Sequence, residues 1–563
     1  MNWICLLMTT TAMAVMLGLT HKPLGDYIAT TLESDRDTRV ESWMHRIIGV
    51  DSSKEQSWSA YARSVLAFSL MGVLLLYLLQ RIQQWLPFSL GDSPVAPQVA
   101  FNTAISFVTN TNWQAYSPET TLGYTVQFAG LVVQNLVSAA TGIAVAVALV
   151  RGLARRHCTT IGNFWVDLVR ITGRVLLPGA AIGAIVLMAG GVVQNLEGFR
   201  TVTTLAGHVQ TIPGGPVASQ EAIKELGTNG GGFYNANSSH PFENPQAWTS
   251  FFETFLILVI PFSLPRTFGT MVGDRRQGMA ILKAMATLFL LTLAATAAFE
   301  FTGSGTASRL AGSAMEGKEQ RFGLVQSVFF ASTTTNTSTG AVNSMHDSYT
   351  ALGGMVPLLT MMLGEVSPGG VGTGLYGMLV IAVIAVFIAG LLVGRTPEYL
   401  GKKIGPAQMK IASLYILVMP VLVIGGVALS LTIPGARNSV LGSSISNPGS
   451  HGLTELIYAF TSGANNNGSA FAGLIADTPW MASAIGVVMA LGRFIPIILV
   501  LALAGSLARQ GRAPATAGTL PTHSNLFVGL VVFTAILVTA LVFFPVLSLG
   551  CLLYTSPSPR DRQ

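Results

Sequence analysis

Four stretches of the sequence combine a short apolar or amphipathic run with a cluster of threonine, asparagine, serine and glycine. They are FNTAISFVTNTNWQ at 101–114, SQEAIKELGTNGGGFYN at 219–235, VQSVFFASTTTNTSTGAVN at 325–343 and LTELIYAFTSGANNNGSAF at 453–471. Backbone carbonyls can replace the water shell of a potassium ion without a fixed charge that would trap it. Glycine allows the backbone angles that aim successive carbonyls at one axis. Four such loops together predict a selective cation path.

The apolar run before each cluster is too short to cross a bilayer as a helix. It can form a short helix whose negative C-terminal end faces the ion. Ordinary polar surface turns are the alternative, and for GTNGGG at 227–232 alone the two interpretations are equally good. A phosphate-binding loop is disfavoured because no Lys-Ser or Lys-Thr pair follows these glycines.

The composition of the whole chain indicates a membrane protein. Of the 563 residues, 50% are hydrophobic and only 10% are charged, whereas about 25% of the residues of a soluble protein are charged. Ten apolar segments are long enough to span a membrane. They lie near 3–20, 62–82, 124–151, 171–194, 250–272, 280–301, 353–396, 411–433, 480–506 and 524–548.

The seventh segment is too long for one plain span and contains several glycines and Pro368, so we expect it to break inside the membrane. The fold class predicted is an all-α integral membrane protein of about ten transmembrane helices. Four span–re-entrant loop–span pseudo-repeats surround a central selectivity filter, with one extra helix at each end. The divisions expected are 1–61 (first helix and connection), 62–151, 171–272, 280–396 and 411–506 (repeats 1 to 4), and 507–550 (connection and last helix).

The positions of the basic residues predict the orientation of the spans in the membrane. Most lysines and arginines outside the apolar segments fall in or beside the connections 21–61, 152–170, 273–279, 397–410 and 507–523. The positive-inside rule therefore places these connections in the cytoplasm. Both termini and all four polar loops are then expected on the outer side of the membrane.

Two charged residues lie inside predicted spans. Glu365 is at the expected break of the seventh span, and Arg493 is near the middle of the ninth. Intramembrane charges usually face a cavity, a partner or an ion path. We expect Glu365 to attract cations in an inner cavity. Arg493 would repel a second cation below the filter or brace a filter loop.

Several motifs closely resemble the KdpA family of bacterial potassium-pump subunits. They include TNTNWQAYSPETT at 109–121, GTNGGGFYNANSSHPFENP at 227–245, MHDSYTALGGM at 345–355, GRTPEYLGKKIG at 394–405 and ANNNGSAFAGL at 464–474. The resemblance extends from the first helix to about Gly550. It implies a potassium-channel-like fold and a non-catalytic subunit that binds extracellular potassium and passes it to a partner.

The resemblance also implies the partners and the filter. ATP and magnesium would be used by a P-type ATPase subunit (KdpB-like), accompanied by a single-span KdpC-like subunit and a small KdpF-like peptide. No organic cofactor and no catalytic residue is expected in this chain. The implied filter residues are Asn110, Thr111, Asn112, Gln114, Thr228, Asn229, Gly230, Ser338, Thr339, Gly340, Asn466, Asn467 and Gly468.

The chain departs from the family pattern at two places. Thr339 stands where some relatives have cysteine, and its small polar side chain is expected to retain selectivity. After Gly550 the sequence reads CLLYTSPSPRDRQ, which resembles a translated sequencing adapter, so 551–563 is interpreted as non-native.

Two other functions stay open from the residues alone. One is a self-sufficient potassium channel or an ion-coupled potassium transporter of the same superfamily. The other is an organic-solute transporter, which is disfavoured because it predicts inverted repeats, whereas all four loops are expected on one side. The chain contains no D-K-T-G-T motif and no Walker loop, so the pump interpretation depends on the resemblance.

Overall fold

Ten long apolar helices dominate the computed structural model, which describes residues 1–34, 36–302, 315–394, 396–514 and 519–554, with side chains to 543. Within these ranges the ten candidate spans, numbered in chain order, are Asn2–Leu32, Trp58–Arg81, Val126–Ala154, Phe164–Ala189, Ala247–Met271, Arg275–Phe301, Thr373–Leu392, Pro406–Thr432, Pro479–Ala508 and Asn525–Phe543. The last of these helices continues to Tyr554. The predicted number of spans is confirmed, whereas the rest of the tail, 555–563, lies outside the described residues.

Four shorter helices lie between paired spans, one in each predicted loop. We call them the first to fourth loop helices: Pro97–Val108, Val217–Leu226, Gly323–Asn336 and Gly449–Asn465. Each follows an even-numbered span and precedes the next odd-numbered span, and spans 1 and 10 stand outside this alternation. The predicted arrangement of four span–loop–span units with one extra helix at each end is therefore confirmed.

The seventh span breaks as predicted. A helix at Ala351–Met362 contains Pro357 and ends before a segment rich in glycine, and the span resumes at Thr373. Within the segment Glu365, Gly369 and Gly372 have positive φ angles of 49°, 81° and 88°. Glycine tolerates such angles without a steric cost, so this composition permits an irregular backbone at membrane depth.

The first and fourth spans extend over charged residues that their predicted boundaries excluded. The first helix continues to Leu32, where Arg266 Nε donates to Asp26 Oδ1 at 2.8 Å. The fourth span begins at Phe164, and the buried Asp167 accepts from Arg151 at 2.6 Å. Charged residues lower the hydropathy of a segment, so a prediction from hydropathy ends the span before them. Paired with an opposite charge, they can be part of a span.

Smaller elements occupy the connections. Arg200–Thr203 and Val209–Ile212 form an antiparallel hairpin between the fourth span and the second loop helix, and Glu398–Tyr399 pairs with Lys402–Lys403. Short helical segments complete the chain at Arg39–Ile48, Gln83–Trp85, Pro118–Thr120, Ile171–Leu176, Asn237–Ser239, His346–Ser348, Pro434–Ser439 and Val440–Ser444. Spans 3, 5 and 7 are the most buried, and spans 1 and 8 the least.

Candidate ion-binding site

The four loop helices end with the same backbone turn. In each, a residue with positive φ follows the helix, and the next N–H bonds to a carbonyl five residues back, as in the Schellman motif. The positive φ angles are 65° at Asn110, 48° at Thr228, 55° at Ser338 and 59° at Asn466. The bonds join Thr111 to Ser106 (2.9 Å), Asn229 to Lys224 (2.9 Å), Thr339 to Thr334 (3.1 Å) and Asn467 to Ser462 (2.9 Å). We call residues 110–112, 228–230, 338–340 and 466–468 the first to fourth polar turns.

The polar turns meet at Gly230. A Cβ atom placed on Gly230 would lie 2.7 Å from Thr339 O, 2.8 Å from Thr111 O and 3.0 Å from Asn467 O. One backbone position of the second turn therefore contacts carbonyl oxygens from all three other turns. Because any side chain here would collide with these oxygens, glycine is required by space.

Side chains join neighbouring turns. Asparagine, serine and threonine occupy the left-handed positions, where glycine would cost less strain, and each makes a hydrogen bond that glycine could not. Asn110 Nδ2 donates to Thr228 O at 2.9 Å, and Thr228 Oγ1 accepts from Val371 N at 3.0 Å. Ser338 Oγ donates to Asn465 O at 3.0 Å. Asn466 Nδ2 donates to Thr111 Oγ1 at 3.0 Å. These bonds connect the four turns and the broken seventh span in one network.

The first turn has asparagine where the other three have glycine. Asn112 has a φ of 58°, and its Nδ2 donates to Asn135 Oδ1 of the third span at 2.6 Å. Gln114, just beyond the turn, accepts from Gly232 N at 3.0 Å. Both side chains brace the first loop against its neighbours. All thirteen residues of the predicted filter thus lie in or beside the polar turns.

Glu365 lies directly behind the fourth turn. Its side chain is buried, and Oε1 accepts from Asn467 Nδ2 at 2.7 Å. Asn467 Nδ2 also donates to Thr334 O at 3.0 Å. No donor for Glu365 Oε2 is found among the described residues. A buried carboxyl group with one open oxygen therefore lies against the fourth turn.

Arg493 lies near the middle of the ninth span and is buried. Gly142 of the third span lies between Arg493 and the break. A Cβ atom added to Gly142 would lie 3.2 Å from Arg493 Nη2 and still closer to Val371 O. Val371 in turn bonds to the second turn. Arg493 is therefore close to the break of the seventh span, on the side where the second turn is anchored.

Asn237 is a site residue that the sequence did not single out. Its Nδ2 donates to Gly230 O at 2.8 Å, and its Oδ1 accepts from Val342 N, just beyond the third turn, at 3.2 Å. Its positive φ of 54° is common for asparagine among non-glycine residues. The only local signal was a second amide cluster, NANSS at 235–239, after the glycines.

Two histidines in the connections that carry the loop helices have structural roles. His346 Nδ1 bonds to Tyr458 Oη at 2.8 Å, and burial, with a contribution from Lys318, lowers the pKa of His346 to about 4. His240 stacks on Tyr234 with ring centroids 4.0 Å apart. Burial and the nearby Arg321 lower its pKa to about 4. Both rings are therefore neutral hydrogen-bonding groups.

Ten spans, four inward-turning loop helices and a shared polar site define a membrane protein of the multi-span transport class. A family model described as KdpA, potassium-transporting ATPase A subunit, matches residues 11–554. The chain belongs to this family, which confirms the family predicted from the motifs.

Curated relatives match along nearly the whole chain. The potassium-transporting ATPase potassium-binding subunit of Cutibacterium acnes is 69% identical over 550 residues, covering 98% of this chain and 99% of the relative. The protein of the same name from Clavibacter sepedonicus is 66% identical, covering 96% and 97%. That from Mycobacterium avium is 60% identical, covering 95% and 96%. A solved structure, the potassium transporter TrkH from Vibrio parahaemolyticus, matches with a TM-score of 0.49 and 15% identity, covering 77% of this chain and 84% of that chain.

Proposed function

We propose that this chain is the potassium-binding subunit of a potassium-transporting ATPase and that its four polar turns form the selectivity filter. The observation that carries the proposal is the meeting of Thr111 O, Thr339 O and Asn467 O at Gly230. Carbonyl oxygens from several chain segments around one axis can replace the hydration shell of potassium. The loop helices direct their negative C-terminal ends at the same place.

The residues divide into three roles. The carbonyls of the polar turns coordinate the ion, whereas the side chains of Asn110, Ser338 and Asn466 hold neighbouring turns together. Glu365 contributes negative charge behind the filter. Arg493, near the break of the seventh span, discourages a second cation below the filter.

The site has a direct structural test. A density map of the complete complex in rubidium should contain ion density on the axis between Gly230 and the three carbonyls. Replacing rubidium with sodium should remove that density. A rubidium-loaded complex with no density on this axis would overturn the assignment of the filter.

Energy for transport comes from other chains. We propose that a KdpB-like P-type ATPase subunit hydrolyses ATP with magnesium and receives the ion from this subunit, with KdpC-like and KdpF-like chains completing the complex. The relatives are named as subunits of an ATPase, which supports this assembly. Affinity purification of the tagged chain should recover a P-type ATPase subunit. Recovery of an active potassium channel without such a subunit would favour the channel alternative.

The proposed membrane is the bacterial inner membrane, with both termini and the polar turns outside. Single cysteines test this orientation in a background lacking Cys5, Cys158 and Cys551. An impermeant maleimide added to intact cells should label Leu205→Cys in the exposed hairpin connection and leave Lys54→Cys unlabelled. Labelling of Lys54→Cys but not of Leu205→Cys would show that the chain has the opposite orientation.

A further inference from the structure

Behind the second polar turn, four buried carboxyl groups surround one buried ammonium group. Lys224 Nζ lies 2.6 Å from Glu221 Oε2, 3.3 Å from Glu225 Oε1 and 3.6 Å from Glu243 Oε2. Carboxyl oxygens of Glu253, Glu221 and Glu225 lie within 4.8 Å of one another. All five side chains are at most 1% exposed. One ammonium cannot balance four buried carboxylates, so this acidic nest needs further positive charge.

Glu253 points into the nest without a donor of its own. It projects from the fifth span, and neither of its carboxyl oxygens has a hydrogen-bond partner among the described residues. A buried carboxylate is costly unless a cation lies beside it, and otherwise the carboxyl group binds a proton and is neutral. The orphaned carboxyl group of Glu253 therefore independently indicates a ligand in the nest.

The hydrogen bonds at Ser238 identify that ligand. Ser238 Oγ lies 2.8 Å from Glu221 Oε1 and 3.0 Å from Glu225 Oε1, and it accepts from Lys224 Nζ at 3.0 Å. A hydroxyl group carries only one hydrogen. If both glutamates were ionised, one of these oxygen–oxygen contacts would contain no hydrogen. A proton on one carboxyl group satisfies both contacts, because that group donates to Ser238 while Ser238 donates to the other.

We propose that Glu221, Ser238 and Glu225 form a proton-binding site in which one carboxyl group donates a bound proton to Ser238 while Ser238 donates to the other carboxyl group. The charged and titratable groups that face it are Lys224 on the same helix, Glu243 and Tyr234 on the following loop, Glu253 on the fifth span and Arg321 before the third loop helix. Arg321 is already engaged by Glu319 Oε2 at 2.7 Å and by Asn244 O at 3.2 Å. Burial raises the pKa of Glu225 and raises that of Glu243 to about 8.

The site is linked to the second polar turn through two residues. Lys224 Nζ donates to Asn237 Oδ1 at 3.2 Å, and Asn237 Nδ2 donates to Gly230 O at 2.8 Å. The bound proton holds Ser238 and Lys224 in place, and Lys224 orients the amide that bonds to Gly230. Lys224 and Asn237 are thus positioning residues for a filter carbonyl, and this link to the filter rests on the proposed function.

Infrared spectroscopy of the purified complex tests the proton directly. The wild type should have a carboxylic-acid carbonyl band that decreases in Glu221→Gln or Glu225→Gln. Glu197→Gln is the matched control, since Glu197 is exposed and paired with Arg200, and it should leave the band unchanged. Ser238→Ala removes the acceptor and should shift the band without abolishing it. An unchanged band in all three nest variants would overturn the proposal, as would a stoichiometric divalent metal lost in Glu253→Gln.

Rubidium affinity tests the link to the filter. Glutamine mimics the neutral acid, so Glu225→Gln should retain affinity within about threefold. Glu225→Leu removes one hydrogen-bonding partner from Ser238 and one from Lys224 and should weaken binding about tenfold or more. Equal affinities in the two variants would refute the link. No rubidium binding by the wild-type complex would instead refute the proposed function and leave the infrared result intact.

Discussion

The side-chain amide of Asn467 donates to Glu365 Oε1 at 2.7 Å, so the fourth polar turn is bonded to the break of the seventh span. Glu365 follows Gly364 and has a φ of 49°. The broken span therefore brings a carboxyl group against the fourth polar turn, which lies 102 positions away along the chain. This contact gives the buried acidic side chain a hydrogen-bond partner.

Glu365→Gln should lower the apparent affinity for potassium about tenfold, because it removes a charge close to the filter. Glutamine has nearly the same shape and can still accept from Asn467, so the turn should keep its geometry. Potassium-stimulated ATPase activity of the complex measures the effect. Glu197→Gln removes a charge from an exposed outer-loop residue and is the control. An unchanged half-saturating potassium concentration in Glu365→Gln would contradict a charge role.

Gly230→Ala should abolish potassium selectivity. The added methyl group would lie 2.7–3.0 Å from three carbonyl oxygens, closer than carbon and oxygen normally approach, so the carbonyls must move. Gly425→Ala in the eighth span is the matched control, because a Cβ there meets no heavy atom within 4 Å. Rubidium binding in excess sodium compares the two variants. A selective Gly230→Ala complex would show that this position is outside the filter.

Asn466 separates the role of a side chain from the role of its backbone angle. Asn466→Gly keeps the left-handed angle without strain but loses the bonds to Thr111 Oγ1 and Met489 O, each 3.0 Å. Asn466→Ala loses the same bonds and adds about 1 kcal/mol of backbone strain. We expect both variants to lose selectivity and the alanine variant to melt at the lower temperature. An alanine variant that melts at or above the glycine variant would contradict this account.

Much of this arrangement follows from patterns that the sequence displays. Apolar length predicts the spans, glycine content predicts the break before Thr373, and the polar clusters predict the four turns. Asn237 was not predictable, because its contact with Gly230 O depends on how the loop folds back. The early start of the fourth span was missed for a related reason. Its charge predicts a loop position for Asp167, whereas in the structure Asp167 is paired with Arg151, sixteen positions earlier in the chain.

Acid should destabilise the region around the third polar turn through His346. The unfolded side chain has a pKa of 6.5 and the buried one a pKa of about 4. As pH falls from 6.5 towards 4, the unfolded state binds a proton that the folded state excludes, so stability declines over this window. The loss at about pH 5 should be about 2 kcal/mol. Melting temperatures between neutral pH and about pH 5 should therefore fall less in His346→Gln, which can still bond to Tyr458. His208→Gln in the exposed hairpin should retain the wild-type dependence, and an equally steep decline in His346→Gln would exclude this histidine as the cause.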